Sequence, residues 1–303
     1  MDDNRPHLKY LLVSPERFTM RESINPLSNN SRAPIDHTLA AIQFRTLINV
    51  LDDTDADYSI ISPNIIDSTG TTPDILYTAN WGISLPIPTC PFVLSRMKTT
   101  YRKPEPAKVA AYMIAALHTN LYTIPRGIIF EGTGLACWSH EYRHLWLAYG
   151  VRTTYKDAVW LRNQITDIYR AHKTTPPTIH LLHIQNPWYD LDLAFLAFPN
   201  GRLLYRPEAF SARSVREIID VFGETAAIPF PFDNDPFALN AKIIPRRRGG
   251  HFILCGTIRT HSKEYVNAVS GLEVISCPLT YAEKGGGSVR CCMLDYFANI
   301  GTK

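Results

Sequence analysis

Near the carboxyl end the chain reads Glu283-Lys284-Gly285-Gly286-Gly287-Ser288-Val289-Arg290-Cys291-Cys292. Three glycines in a row permit close backbone approach and torsions closed to other residues, and a cysteine follows at the mouth of a strand. A cysteine nucleophile needs a polar, partly open setting that lowers its pKa. Arg290, together with a cationic substrate, would supply one. The same letters also spell a glycine hairpin leading into a buried strand, with both cysteines in the core. The segment alone carries both readings, so the rest of the chain has to decide between them.

Working outward, the next chemistry-bearing stretch is Trp188-Tyr189-Asp190-Leu191-Asp192-Leu193-Ala194-Phe195. On an extended segment Asp190 and Asp192, two apart, face the same way. Paired carboxylates among apolar residues are costly unless a cation neutralises them; otherwise they form a solvated acidic patch. Phe130-Glu131-Gly132-Thr133-Gly134 sets a carboxylate at a strand end before two glycines, a pattern that a plain turn also explains. His140-Glu141-Tyr142-Arg143-His144 matches HExxH letter for letter. On a helix His140 and His144 would share a face and bind zinc, with Glu141 activating water. Its surroundings argue against that. No glutamate follows until Glu208, Asp157 is the nearest third ligand, and the strand-like Leu145–Tyr149 comes directly after. A solvated loop is the better reading.

Hydrophobic periodicity places these segments on an alternating framework. Lys9–Val13 reads as a buried strand, Tyr58–Pro63, Leu145–Tyr149, Thr178–Ile184 and Val274–Cys277 as further strands, and Ile128–Phe130 as a short buried one. Ile75–Thr78 and Pro91–Ser95 flank a Gly- and Pro-containing connection, as a strand pair would. Apolar residues at helical spacing predict helices over 35–51, 105–121, 156–172 and Arg213–Phe222, with another from Ser262. Leu193–Phe198 and Leu203–Tyr205 flank Asn200-Gly201, a tight hairpin turn. A second strand pair brackets Arg246–Gly250, and Ser288–Leu294 closes the chain. The pattern amounts to five units of strand, strand, helix, strand, spaced roughly 50–60 residues apart. It predicts one α/β domain over residues 1–303 with internal pseudo-symmetry.

Composition narrows the class. With 303 residues, 45% hydrophobic and 19% charged, the chain can bury a core and is not a disordered polymer. A net charge of +3 leaves no electrostatic footprint for nucleic acid; the one dense basic run, Arg246-Arg247-Arg248, reads as a solvated hairpin tip. No stretch approaches the roughly 18 apolar residues of a membrane span. Six scattered cysteines without a CxxC pair argue against a disulfide scaffold or a thiolate zinc site. The polar start Met1-Asp2-Asp3-Asn4-Arg5 lacks a signal-type apolar segment, so a cytoplasmic protein is expected.

Set in order, these segments resemble the guanidine-modifying enzymes of the pentein fold: arginine deiminases, dimethylargininases, arginine dihydrolases and amidinotransferases. The resemblance runs through Ser23-Ile24-Asn25-Pro26, Pro73–Gly82, Leu94-Ser95-Arg96, Phe130-Glu131-Gly132, Tyr149–Thr153, Asp190–Phe195, Leu239-Asn240-Ala241 and Glu283–Cys291. It implies a five-bladed pseudo-symmetric α/β propeller. It also implies a small guanidino substrate and chemistry that needs no cofactor or metal. Cys291 falls at the family's nucleophile, which forms a covalent adduct at the guanidinium carbon. Asp192 falls at the carboxylate that pairs with the guanidinium, and Glu131 at the one that orients the acid/base. Asn80 matches the branch resembling arginine dihydrolases. Arg96 and Arg152 lie where the family clamps a substrate α-carboxylate, and Asn25 lies in its substrate loop. The chain departs from the family at Asp190, where the general acid/base is a histidine. The expected activity is therefore a cysteine-dependent hydrolase with Asp190 in that role. A pseudoenzyme that binds a guanidino ligand or a protein partner is the alternative, and a zinc peptidase through His140, Glu141 and His144 comes third.

Overall fold

The computed structural model describes residues 6–19, 25–27, 34–117, 120–246 and 249–298. Met1–Arg5, Ser23-Ile24 and Arg247-Arg248 lie outside the described residues. β1 (His7–Val13) feeds helix His37–Asp53, which returns the chain into β2 (Tyr58–Ile61), parallel to β1. The same arrangement recurs four times, each with an antiparallel pair first. β3 (Gly82–Ser84) pairs with β4 (Phe92–Leu94), helix Glu105–Leu117 follows, and β5 (Leu121–Tyr122) lies parallel to β4. β6 (Ala136–Ser139), β7 (His144–Tyr149), helix Tyr155–Ala171 and β8 (Thr178–His183) form the next unit. β9 (Phe195–Ala197), β10 (Leu203–Tyr205), helix Ala212–Phe222 and β11 (Ala227–Pro229) form another. β12 (Lys242–Pro245), β13 (His251–Cys255), helix Thr260–Ser270 and β14 (Glu273–Ser276) complete it. The last strand, β15 (Leu294–Ala298), pairs antiparallel with β1, so the two ends of the described chain share one sheet. Among the described residues this gives five three-stranded sheets of one design.

The repetition has a simple cause. Parallel neighbours cannot be joined by a tight turn, so the second and third strands of each sheet need a helical crossover. Each crossover helix buries one stripe. In Tyr155–Ala171 that stripe is Ala158, Leu161, Ile165 and Ile168, at spacings of three and four. Thr154 caps the helix by accepting from Asp157 N, and the Asp157 side chain accepts from Thr154 N in return. Burying three such aliphatic side chains contributes roughly 1.5–3 kcal/mol each before entropy.

Several expectations change at the edges of these elements. Ile75–Thr78 is not a strand: residues 73–76 turn after Pro73-Asp74, Thr78–Trp81 forms a 3-10 turn, and the strand begins at Gly82. Ile75, Leu76 and Tyr77 are buried as a packed turn, which periodicity over four residues cannot distinguish from a strand. Of Ile128–Phe130, only Phe130 pairs, in an isolated bridge to Arg96. The helix expected over 105–121 is described over Glu105–Leu117, and Leu121 already lies in β5. Asp190 and Asp192 do not share a face, because Leu191–Leu193 coils into a 3-10 turn. The closing strand starts at Leu294, and Ser288–Cys292 is a turn in which Cys292 N reaches Ser288 O and Val289 O.

The HExxH segment is the connection between β6 and β7, with φ of +51°, +54° and +67° at His140, Glu141 and Tyr142. A left-handed turn cannot set His140 and His144 on one helical face, which overturns the helical zinc site. Their ring centres instead lie 4.9 Å apart, the planes tilted by 53°. His144 Nδ1 lies 2.9 Å from His180 Nε2, and His180 Nδ1 lies 3.0 Å from Glu217. No group of three or more metal-ligating side chains occurs among the described residues. The double replacement His140→Ala, His144→Ala is expected to leave any turnover unchanged in a rate assay, because both rings belong to this cluster away from the Cys291 pocket. A loss of rate would reopen a catalytic role. No helix among the described residues is long and apolar enough to cross a membrane.

Candidate active site

The glycine run closes the short helix Thr280–Gly285 and turns the chain toward the middle of the fold. Gly286 has φ +98°, a conformation that side chains resist, and a Cβ there would meet the Asn25 side chain at 2.6 Å. At Gly287 a Cβ would lie 2.9 Å from Cys291 Cβ, so only glycine allows the loop to fold back over the cysteine. The Ser288–Cys292 turn then holds Cys291 at 3% exposure. Asn240 fixes that turn, with its Oδ1 accepting from Ser288 N at 3.0 Å and from Cys291 N at 3.3 Å. Its Nδ2 donates to Cys291 Sγ at 3.1 Å. On the other side the thiol donates to Asp192 Oδ2 at 3.2 Å. Asp192 is fully buried, and no hydrogen bond reaches its Oδ1 among the described residues.

Across the pocket stands Arg152. Its Nη1 donates to Glu131 Oε2 at 2.9 Å, its Nη2 to Asn25 Oδ1 at 2.8 Å, and its Nε lies 3.3 Å from Asp190 Oδ1. The guanidinium carbon sits 4.9 Å from the centre of the Tyr189 ring. Glu131 spends its other oxygen on Lys98 N at 2.8 Å. Asn80 donates to Glu131 O at 3.1 Å and accepts from Arg102 Nη1 at 3.0 Å. Arg102 in turn grips Glu105 through two 2.9 Å bonds, an i,i+3 pair buried on both sides. Removing one partner of such a pair strands a buried charge. Arg102→Met should therefore lower unfolding stability by about 3–5 kcal/mol in a denaturant titration. A change below about 1 kcal/mol would mean the pair carries no such weight.

Burial dominates the electrostatics. It pushes the Cys291 thiol well above its ordinary value, and Asp192 and then Asp190 add to the effect. Arg290, expected to lower the thiol together with a cationic substrate, has its Nη1 engaged by Phe195 O at 2.8 Å. Burial also raises the Asp192 carboxyl, against the pull of Arg290. It lifts Asp190 to about 7, opposed by Arg152 and helped by Asp192 and Glu131. A buried carboxyl near neutrality can both give and take a proton.

Cys291, Asp190, Asn80, Arg152 and Asn25 line one pocket of about 320 Å³, counting its open mouth. Glu131 and Asp192 lie directly behind it, each touching a lining residue. Arg96 is not on the pocket wall: its Nε donates to Ile124 O at 3.2 Å. Arg152, read as a clamp for a substrate carboxylate, holds protein carboxylates instead. His180 lies with His144 and Glu217, so it does not replace the missing histidine. Asn240, Asp74, Tyr101, Arg102 and Tyr189 went unassigned from sequence. Asn240, Asp74 and Tyr189 lay in segments already singled out, Leu239-Asn240-Ala241, Pro73–Gly82 and Trp188–Phe195, whereas Tyr101 and Arg102 carried no signal.

No family model matches the chain. It is 27% identical over 292 residues to the bifunctional arginine dihydrolase/ornithine cyclodeaminase ArgZ of Synechocystis sp. (strain ATCC 27184 / PCC 6803 / Kazusa), covering 95% of this chain and 37% of that protein. It is 25% identical over 294 residues to the N(G),N(G)-dimethylarginine dimethylaminohydrolase of Mycobacterium tuberculosis (strain ATCC 25618 / H37Rv), covering 95% and 85% respectively. A crystal structure of an ArgZ N-terminal domain variant covalently bound to a reaction intermediate superposes with a TM-score of 0.79 at 26% identity. That match covers 95% of this chain and 97% of the other. The chain is similar over most of its length to arginine dihydrolases and to a dimethylarginine dimethylaminohydrolase, enzymes that act on guanidino groups. It spans little more than a third of ArgZ, and its mixed α/β sheets match the N-terminal domain of that relative.

Proposed function

We propose that the chain is a cysteine-dependent hydrolase of a guanidinium C–N bond. The observation that carries this reading is the wall shared by Cys291 and Asp190, with Asp192 3.2 Å behind the sulfur. A guanidinium docking here brings positive charge to the thiol and lowers its pKa, while Asp192 accepts its proton. Sγ bonds to the guanidinium carbon, and protonated Asp190 donates to the departing amine or ammonia as the C–N bond breaks. Asp190, now a carboxylate, takes a proton from water. The hydroxyl bonds to the thiouronium carbon; as the C–S bond breaks, Asp192 returns its proton to the sulfur, and the hydroxyl proton passes to the released amine or ammonia, leaving the urea product. Glu131 and Arg152 hold Asp190 in place.

Incubation with arginine, methylarginines and agmatine, with citrulline, ornithine and ammonia measured, tests this. Product should exceed a Cys291→Ala control, and a signal equal to that control sinks the proposal. A second reading, a pentein that binds a guanidino ligand or protein partner without turnover, is favoured by the absence of histidine from the described pocket wall. It predicts ligand-induced thermal stabilisation with no product, and activity created by Asp190→His. We read the five sheets as blades of a pseudo-fivefold propeller, and residues 1–303 as one domain around this site. A cytoplasmic setting fits six cysteines that form no disulfide among the described residues.

A further inference from the structure

A second cavity shares no lining residue with the Cys291 pocket. It measures about 700 Å³ counting its open mouth, against about 320 Å³ for that pocket. The first strands of three sheets, β6, β9 and β12, wall it together with β1 and β15. Arg290 and Cys291 are neighbours in one turn, yet Cys291 lines the first cavity and Arg290 the second. Part of the wall is aromatic: Tyr142 stands edge-on to Phe297 at 5.2 Å and to Trp138 at 6.0 Å. The left-handed turn at His140–Tyr142 is what carries Tyr142 to this wall.

The polar part of the wall is incompletely paired. Its charged side chains are Lys242, Arg290 and Asp295, with Lys242 5% and Arg290 7% exposed, so two buried cations face one carboxylate. Lys242 Nζ lies 2.9 Å from Asp295 Oδ1, yet no aligned hydrogen bond reaches that oxygen among the described residues. Asp192, the further anion that Arg290 and Lys242 act on, sits behind the sulfur with its carboxyl raised by burial, which makes it a weak counterion. Tyr10 is 2% exposed, and its hydroxyl has no hydrogen-bond partner among the described residues. Burial, and then the nearby Asp295, keep that hydroxyl protonated and able to donate. A buried hydroxyl left without a partner costs about 1–3 kcal/mol, which a ligand oxygen would recover.

We propose that this cavity binds a small monocarboxylate with an aromatic body, its carboxylate on Lys242 and the Tyr10 hydroxyl and its ring against Trp138, Tyr142 and Phe297. The site stands or falls separately from the hydrolase reading. A carboxylate brings the negative charge that the wall lacks, and its two oxygens can accept from both the ammonium and the hydroxyl. An amine of the same shape would face two cations, and an alcohol would leave them unmet. Largely apolar walls with a few convergent polar groups are the usual make-up of a small-molecule site.

Calorimetry on the full chain at neutral pH, with phenylpropionate, phenylpropanol and phenylpropylamine, tests this. The carboxylate should bind on the order of tenfold or more tighter than the alcohol or the amine. Tyr10→Phe removes only the unpartnered hydroxyl, so it should weaken the carboxylate roughly three- to tenfold with the melting temperature unchanged or higher. Lys242→Met should weaken it on the order of tenfold or more, and Cys291→Ser should bind it as the native chain does. The alcohol or the amine matching the carboxylate overturns the proposal. So does native affinity in Tyr10→Phe or in Lys242→Met, a loss of affinity in Cys291→Ser, or no binding of the carboxylate.

Discussion

Cys291→Ser is expected to lower kcat on the preferred guanidine by on the order of 10⁶-fold, the scale seen when a covalent nucleophile is removed. The substitution is mild for the fold. Serine is slightly smaller, and its hydroxyl can keep the partners of the sulfur, Asn240 Nδ2 and Asp192 Oδ2. It is severe for the chemistry, because an unactivated hydroxyl beside a buried carboxylate has no route to an alkoxide at neutral pH. Product formation, followed alongside thermal unfolding, checks both halves. A rate within tenfold of the native protein, with an unchanged melting profile, would remove Cys291 from the mechanism.

Asp190→Asn is expected to cost about 10²–10⁴ in kcat, the usual contribution of a positioned acid/base. The pH dependence is the sharper readout. Asp190 enters the first step protonated, so kcat/KM should fall as pH rises through about 7, and this limb should vanish in the variant. Stability follows the same proton. The folded-state carboxyl is raised from 3.8 to about 7, so the folded form binds more protons than the unfolded one between those values. The contribution of Asp190 is thus full below 3.8 and is lost as pH rises through about 7. Denaturant titrations across that window should show a native slope that Asp190→Asn flattens. An unchanged rate and slope would place Asp190 outside both roles.

The repeating strand, strand, helix, strand order was legible because it is a local property. Amphipathic spacing, the Asn200-Gly201 turn and the crossover helices are written within short windows. The exceptions were equally local in cause. Ile75–Tyr77 is apolar because a turn is packed inside, and a four-residue run does not distinguish that from a strand. The HExxH letters satisfied a pattern, yet three left-handed residues make the segment a hairpin turn. The candidate site was legible as a set of residues through their order along the chain. Their partners were not, since Arg152 meets Asn25 across 127 residues and Cys291 meets Asp192 across 99.

By itself, the sequence determined that a cysteine after three glycines belongs with carboxylates at Glu131, Asp190 and Asp192 on an α/β framework of five units. Only the tertiary structure decided which charges are already spent. Arg152 is consumed by Glu131 and Asp190, Arg102 by Glu105, and the thiol is pushed up by burial, with the nearby Arg290 engaged by Phe195 O. Ion pairing and desolvation depend on distances through space, set when the closing turn packs against segments far away in sequence.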